Sequence, residues 1–165
     1  MKGNRIIRNT VVADLDDVMA IYEYARSRMR ESGNATQWVD GYPSRDRILA
    51  DMKADSHYVI EDDGRIVGVF VFVTGDEPNY VSIDGAWLND EPYGTIHRIA
   101  SAPGTKGIAD IVLGFCKDFG IDIRIDTHSD NAPMLGWIVK HGFTYCGVIR
   151  VADGTPRKAF HLSCK

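Results

Sequence analysis

The chain of 165 residues has only three cysteines, Cys116, Cys146 and Cys164, an odd number without CxxC spacing. That argues against a disulfide framework and against a zinc site, and no metal is expected. Cys116 sits among apolar neighbours in a helical pattern and reads as a small buried hydrophobe. No dense Lys/Arg cluster occurs, and 19 basic against 23 acidic residues leave a net charge of −4. Nucleic acid and anionic membrane surfaces are thereby disfavoured as partners. No apolar run approaches membrane-spanning length, and residues 1–8 lack the apolar core of a signal peptide, so a cytoplasmic location is expected. Repeats, low-complexity tracts and linkers are also missing. The remaining composition, 44% hydrophobic and 25% charged, suits one globular domain over 1–165.

Local patterns divide the chain. Ile6-Ile7-Arg8 begins a strand, and Leu15, Val18, Met19, Tyr22 and Ala25 recur at helical spacing from 15 to about 30. Gly33-Asn34 ends that helix, and a loop follows with Gln37-Trp38 and Gly41-Tyr42-Pro43. Ser44 caps a second helix to about 54. Strands are expected over 57–61 and 66–74 around the turn Asp62-Asp63-Gly64, then over 80–87 and 93–101. A helix over 107–119 precedes a strand over 121–127. Asn131-Ala132-Pro133 opens a last helix to about 141. Segments 143–151 and 158–163 close as a hairpin. This order predicts an α+β fold in which about four helices flank a mostly antiparallel central sheet of about six to seven strands.

The break at Pro103-Gly104 and the helix start at Gly107 carry the most chemical information. A helix N-terminus presents unpaired N–H groups and a partial positive charge, and glycine there lets an anion approach closely. An open strand edge just upstream would suit a pyrophosphate attached to an amide-bearing arm, the shape of coenzyme A. The alternative is a tight strand-to-helix turn with no ligand.

The strand, turn and helix from Ile99 to Ala109 resemble the acetyl-CoA-binding motif of the GCN5-related N-acetyltransferases (GNAT), and Gln37-Trp38, Gly41-Tyr42-Pro43 and Ile96-His97-Arg98 resemble a bacterial branch of that family. Asp126 to Asn131, followed by Lys140-His141-Gly142-Phe143, resembles that family's next motif. Element order agrees over nearly the whole chain. Gly104 departs from the pattern, standing where the family has Gln or Arg, in a loop about two residues short. The resemblance implies a sheet splayed in the middle and acetyl-CoA as co-substrate. It implies backbone contacts from Ile99, Ala100 and Ser101 to the pantetheine arm. Amides from Gly104 through Gly107, Ile108 and Ala109, with the Lys106 charge, would hold the pyrophosphate. Asn131 would contact the arm or the thioester end, or act as a helix N-cap.

The family's usual catalytic Glu and Tyr fall on Thr95 and Ile138 here, so other groups are needed. Strand alternation puts Thr95, His97, Ile99 and Ser101 on one face, with Arg98 turned away. His97 is a candidate base, since imidazole exchanges protons near neutrality, or else a structural histidine. His128 is a second candidate or a capping residue. Asp84 could bind a substrate cation or orient His97, or be a solvated strand carboxylate. Trp38, Tyr42, Trp87 and Tyr93 could wall an acceptor pocket, or the tryptophans could plug the core. The expected activity is direct acetyl transfer to a primary amine in a ternary complex, by a monomer or homodimer. A small-molecule amine is favoured over a protein. The alternative is a CoA-binding sensor or interaction module with reduced catalysis.

Overall fold

The computed structural model describes residues 4–164. In chain order it comprises β1 (Arg5–Asn9), α1 (Leu15–Glu31), α2 (Arg45–Lys53), β2 (His57–Asp62), β3 (Arg65–Thr74), β4 (Asp84–Gly85), β5 (Tyr93–Ser101), α3 (Ile108–Lys117), β6 (Asp122–Thr127), α4 (Ala132–Lys140), β7 (Thr144–Arg150) and β8 (Pro156–Leu162). The eight strands form one sheet in the order β1-β2-β3-β5-β6-β8-β7-β4. Every pairing is antiparallel except β5 with β6. The α+β expectation and the four helices are met, with an eight-stranded sheet.

Two apolar layers cover the sheet. Leu15, Val18 and Tyr22 of α1 and Ile48 of α2 pack on Val59, Val69 and Ala100. On the other face, Ile108 and Val112 of α3 and Ile138 of α4 pack on Phe70, Ile96 and Ile125. Gly68 sets the height of α3: a Cβ there would meet the Ile108 side chain at 2.9 Å. The first turn of α3 therefore sits low against β3. Ser44 caps α2, its hydroxyl accepting the Arg47 N–H at 3.1 Å, as its sequence position predicts.

The expected strand over 80–87 shrinks to the two residues of β4. Pro78–Tyr80 forms a 3-10 turn, and Tyr80 is buried with its hydroxyl donating to Asp126. The Trp87 indole N–H donates to the Tyr80 carbonyl at 3.1 Å, folding the segment onto itself. Tertiary packing overrides the β-propensity of its side chains there. Among the described residues, no helix is long and apolar enough to cross a membrane. No group of three or more His, Cys, Asp or Glu among them could hold a metal ion.

Candidate active site

β5 and β6 pair only through Tyr93, Gly94 and Thr95 against Asp122, Ile123 and Arg124. Past Thr95 the two strands part. A cavity of about 760 Å³ opens at that divergence, with residues 96–99 of β5, 125–127 of β6 and the α1–α2 loop in its wall. A concave space of this size at a break in a sheet is where a small-molecule site is expected.

An extra residue shapes β5. Val71 of β3 faces His97 and Val69 faces Ala100, so two steps on β3 oppose three on β5. Arg98 occupies this bulge at φ +48°, a left-handed conformation that a long side chain adopts only when its surroundings enforce it. The enforcement is visible. The Arg98 guanidinium makes a two-point contact with Asp51, at 2.9 and 2.8 Å, and donates to the Tyr42 hydroxyl at 2.8 Å. Tyr22 donates its hydroxyl proton to the Arg98 carbonyl at 2.8 Å. The bulge corrects the alternation expected from sequence. Ile99 packs with the α3–α4 layer, whereas Arg98 shares the α2 side of the sheet with His97.

Behind the bulge lies a buried polar chain. Because Tyr22 spends its proton on Arg98, it accepts from His57 Nε2 at 2.9 Å. His57 Nδ1 then accepts from the Thr10 hydroxyl at 2.6 Å. Burial takes the His57 imidazole down to about 4 from its ordinary 6.5. Between those values the unfolded chain binds a proton that the folded chain refuses, so stability is lost as pH falls through this window. The total loss is about 3 kcal/mol, at about 1.4 kcal/mol per pH unit. Urea denaturation of wild type and His57→Gln at pH 7 and pH 4.5 checks this. The substitution should remove most of the slope, and equal slopes would refute the assignment.

Nearest the divergence, His97 Nε2 lies 3.1 Å from Glu77 Oε2, and both side chains are largely buried. His97 Nδ1 has no hydrogen-bond partner among the described residues. The Glu77 backbone N–H donates to the Tyr93 hydroxyl, and its Oε1 accepts the Asn79 N–H, which fixes the carboxylate. Burial pushes the Glu77 carboxyl up. The hydrogen bond and charge of His97, the Asn79 N–H and the Arg98 charge outweigh that and leave it below its ordinary value. An ionised carboxylate on Nε2–H sets the tautomer that leaves Nδ1 free to take a proton. A second carboxylate, Asp126, accepts the Tyr80 hydroxyl at 2.6 Å in the same wall, and burial raises its carboxyl.

The other sequence candidates are distributed unevenly. Trp38 and Tyr42 line the cavity, with Trp38 edge-on to Tyr22 at 5.8 Å. Trp87 and Tyr93 do not: their rings clamp the Arg124 guanidinium at 4.1 and 3.8 Å, inside a packed cluster. Asp84 is exposed in β4 and pairs with Val148, with β6, β8 and β7 between it and β5, so Glu77 rather than Asp84 orients His97. His128 lies outside the cavity wall. Its Nε2 meets the Thr36 hydroxyl at 3.0 Å and its Nδ1 accepts the Asp130 N–H at 3.0 Å, the arrangement of a turn-capping residue.

Asn131 lines the cavity and caps α4, its Oδ1 accepting the Met134 N–H at 3.3 Å. Its Nδ2 donates to Gln37 Oε1, which also takes the Asn34 side-chain N–H, so Gln37 pins the α1–α2 loop across the divergence. Glu77, Asp51 and Arg157 are among the wall residues that the sequence did not single out. Their only advance signal was charge in a loop, a helix or a strand.

On the outer side, the β5 edge from Ile99 through Ala100 and Ser101 has no β6 partner. Gly104 stands at φ +73° with open space where a Cβ would be. Gly107 precedes α3 at φ +81° and provides no side-chain cap, so the amides at the start of the helix, including Ile108 and Ala109, are free of one. A Cβ on Gly107 would point toward Arg5 Nη1, 3.7 Å away. Arg5 donates to the Lys106 carbonyl at 2.9 Å and pairs with Asp62. Uncapped amides, two glycines without Cβ and two nearby cations form a cradle that fits a pyrophosphate.

Residues 18–143 match the model of the Acetyltransferase (GNAT) family. A GNAT-family acetyltransferase from Streptococcus agalactiae superposes with a TM-score of 0.83 at 30% identity, covering 99% of this chain and 98% of that one. One from Listeria monocytogenes has a TM-score of 0.73 at 17% identity, covering 99% and 98%. The yncA protein of Salmonella typhimurium, solved with its cofactor acetyl-CoA, shares the fold with a TM-score of 0.63 at 20% identity, covering 98% and 94%. Among curated proteins no match is found.

Proposed function

This chain belongs to the GNAT acetyltransferase family, and from that premise we propose that it moves an acetyl group from acetyl-CoA to the primary amine of a small molecule, by direct transfer in a ternary complex. The observation that carries this reading is the His97–Glu77 pair, set in a cavity beside an unpaired β5 edge and an uncapped helix start.

The β5 edge at Ile99, Ala100 and Ser101 would pair with the pantetheine amides, and the turn from Gly104 to Ala109, with Lys106 and Arg5, would hold the phosphates. When bound, acetyl-CoA supplies the acetyl group as an activated thioester. An amine arrives as ammonium and must lose a proton before its nitrogen can attack. His97 Nδ1 takes that proton, and ionised Glu77 stabilises the imidazolium through Nε2–H. The nitrogen's second proton leaves as the amide forms and balances the departing thiolate as thiol. Trp38 and Tyr42 give the cavity an aromatic side that suits the body of the acceptor or a cationic group on it.

Thr95 and Ile138 favour the sensor reading. Thr95 is fully buried with its hydroxyl unpartnered among the described residues, and Ile138 is fully buried, so neither position presents an acid or base. Two measurements separate the readings. Acetyl-CoA at about 100 times its Kd should stabilise the fold by about 2.7 kcal/mol and raise Tm. Thiol release across a panel of amines should then show turnover. A Tm rise without release from any amine would give the sensor, and no Tm rise at millimolar acetyl-CoA would defeat both readings.

A further inference from the structure

The charged groups in the cavity wall are mostly matched. Arg98 and Arg47 share Asp51, and His97 meets Glu77. Arg157 is different. It is 6% exposed, and its guanidinium donates only to neutral oxygens: Thr155 Oγ1 and the Pro156 carbonyl at 2.9 Å and the Gln37 carbonyl at 3.5 Å. It makes no ion pair among the described residues. Asp126 and Asp153 feel its charge without touching it. Asp153 is turned to the Thr155 N–H and hydroxyl, and Asp126 accepts from Tyr80. A cation removed from water without a carboxylate beside it is unfavourable, and a planar guanidinium is shaped to take a carboxylate at two points.

The same wall also holds carboxylates without a permanent cation. Glu77 meets the His97 ring, which is charged only when protonated, and the Asn79 N–H, and Asp126 meets the Tyr80 hydroxyl; neither has an arginine or lysine in contact among the described residues. Arg157, Asp126, Glu77 and His97 all line the same cavity, so the cationic and anionic binding points share one space. A ligand that answers both carries an ammonium and a carboxylate close together, as an α-amino acid does on a single carbon atom. Resting on the transferase reading, we propose that the acceptor is a free α-amino acid, with its carboxylate on Arg157 and its amine toward His97 and Glu77. Arg157 thus sets specificity rather than performing chemistry.

The test compares free L-amino acids with the corresponding L-amino acid amides as acetyl acceptors of the intact protein. The amide keeps the amine and side chain and removes the negative charge. Its amine is also less basic, so any intrinsic bias in reactivity runs toward the amide. For the best amino acid, kcat/KM should exceed that of its amide by about 100-fold, as expected for a charge-assisted two-point contact. In Arg157→Lys, that acid-to-amide ratio should fall about tenfold, because a point charge replaces the fork. Arg157→Met should remove the preference. If the methionine variant does not fold, Arg157→Lys decides alone, with its Tm confirming the fold. Acids and amides within threefold of each other in wild type, or an unchanged ratio in a folded Arg157→Lys, would overturn the inference. So would turnover confined to amines that lack a carboxylate, which would leave the transferase reading standing. Binding of acetyl-CoA with no acceptor at all would end both.

Discussion

His97→Ala should lower kcat by about 10²- to 10⁴-fold, the range for loss of a positioned general base, while acetyl-CoA still raises Tm. The argument is geometric. His97 stands at the point where β5 and β6 part, and its Nε2 is fixed by a carboxylate that accepts the Asn79 N–H, on a residue whose backbone N–H donates to the Tyr93 hydroxyl. The proposed acetyl-CoA cradle lies at the far end of β5 and would use backbone groups that His97 does not contact, so binding and turnover should separate. Glu77→Gln gives a second reading of the same pair. The amide can still hold the ring, but it cannot stabilise a charged imidazolium, so kcat should fall by about tenfold or more. A kcat in His97→Ala within twofold of wild type would remove the residue from the mechanism, whatever Glu77→Gln does.

Asp51→Ala should destabilise the fold by about 3–5 kcal/mol, because it strands a guanidinium that is largely removed from solvent. Asp51 is 4% exposed and holds Arg98 at two points, with Arg47 adding a third contact at 3.2 Å. Without it, the Tyr42 hydroxyl is the one remaining side-chain partner of the Arg98 guanidinium among the described residues, and the bulge at φ +48° loses its main support. Denaturant unfolding should show the loss directly, with Tm lower by about 10 °C for a chain of this size. Asp51→Asn keeps an acceptor and should fall between the two. The double variant Asp51→Ala with Arg98→Ala removes the stranded charge and should recover part of the loss. A change below 1 kcal/mol in Asp51→Ala would show that water reaches Arg98 and that the bulge is held by Tyr22 instead.

These two expectations concern residues that sequence reading treated unequally. His97 was legible because a histidine in a strand next to a phosphate-type turn is chemically conspicuous. Its partner was not. Glu77 and Asp84 are both acidic residues in the segment between β3 and β5, and only strand order separates them: β4 runs along the far edge of the sheet, so Asp84 leaves with it. Arg98 was assigned to the wrong face because alternation holds only while the register does, and one inserted residue reverses it. Trp87 and Tyr93 looked like pocket walls for the reason any aromatic in a loop or at a strand end does. Their rings instead stack on Arg124, a buried cation whose position in β6 no local pattern reveals.

Taken alone, the sequence determined the order of helices and strands, the caps at Ser44 and Asn131, the glycine turn that starts α3, and the kinship that follows from them. Those features rest on neighbours a few residues apart: side-chain periodicity, a hydroxyl or amide reaching the next turn of a helix, a backbone angle that glycine allows. Only the tertiary structure decided which carboxylate meets His97, which arginine is clamped, which one has no carboxylate partner among the described residues, and where the sheet opens. Each of those depends on pairings between distant segments, such as Arg98 with Asp51 or Arg157 with the α1–α2 loop, and on a strand register that shifts by one residue at Arg98. A side chain's direction is local, but what it meets there is set by the elements that pack against it.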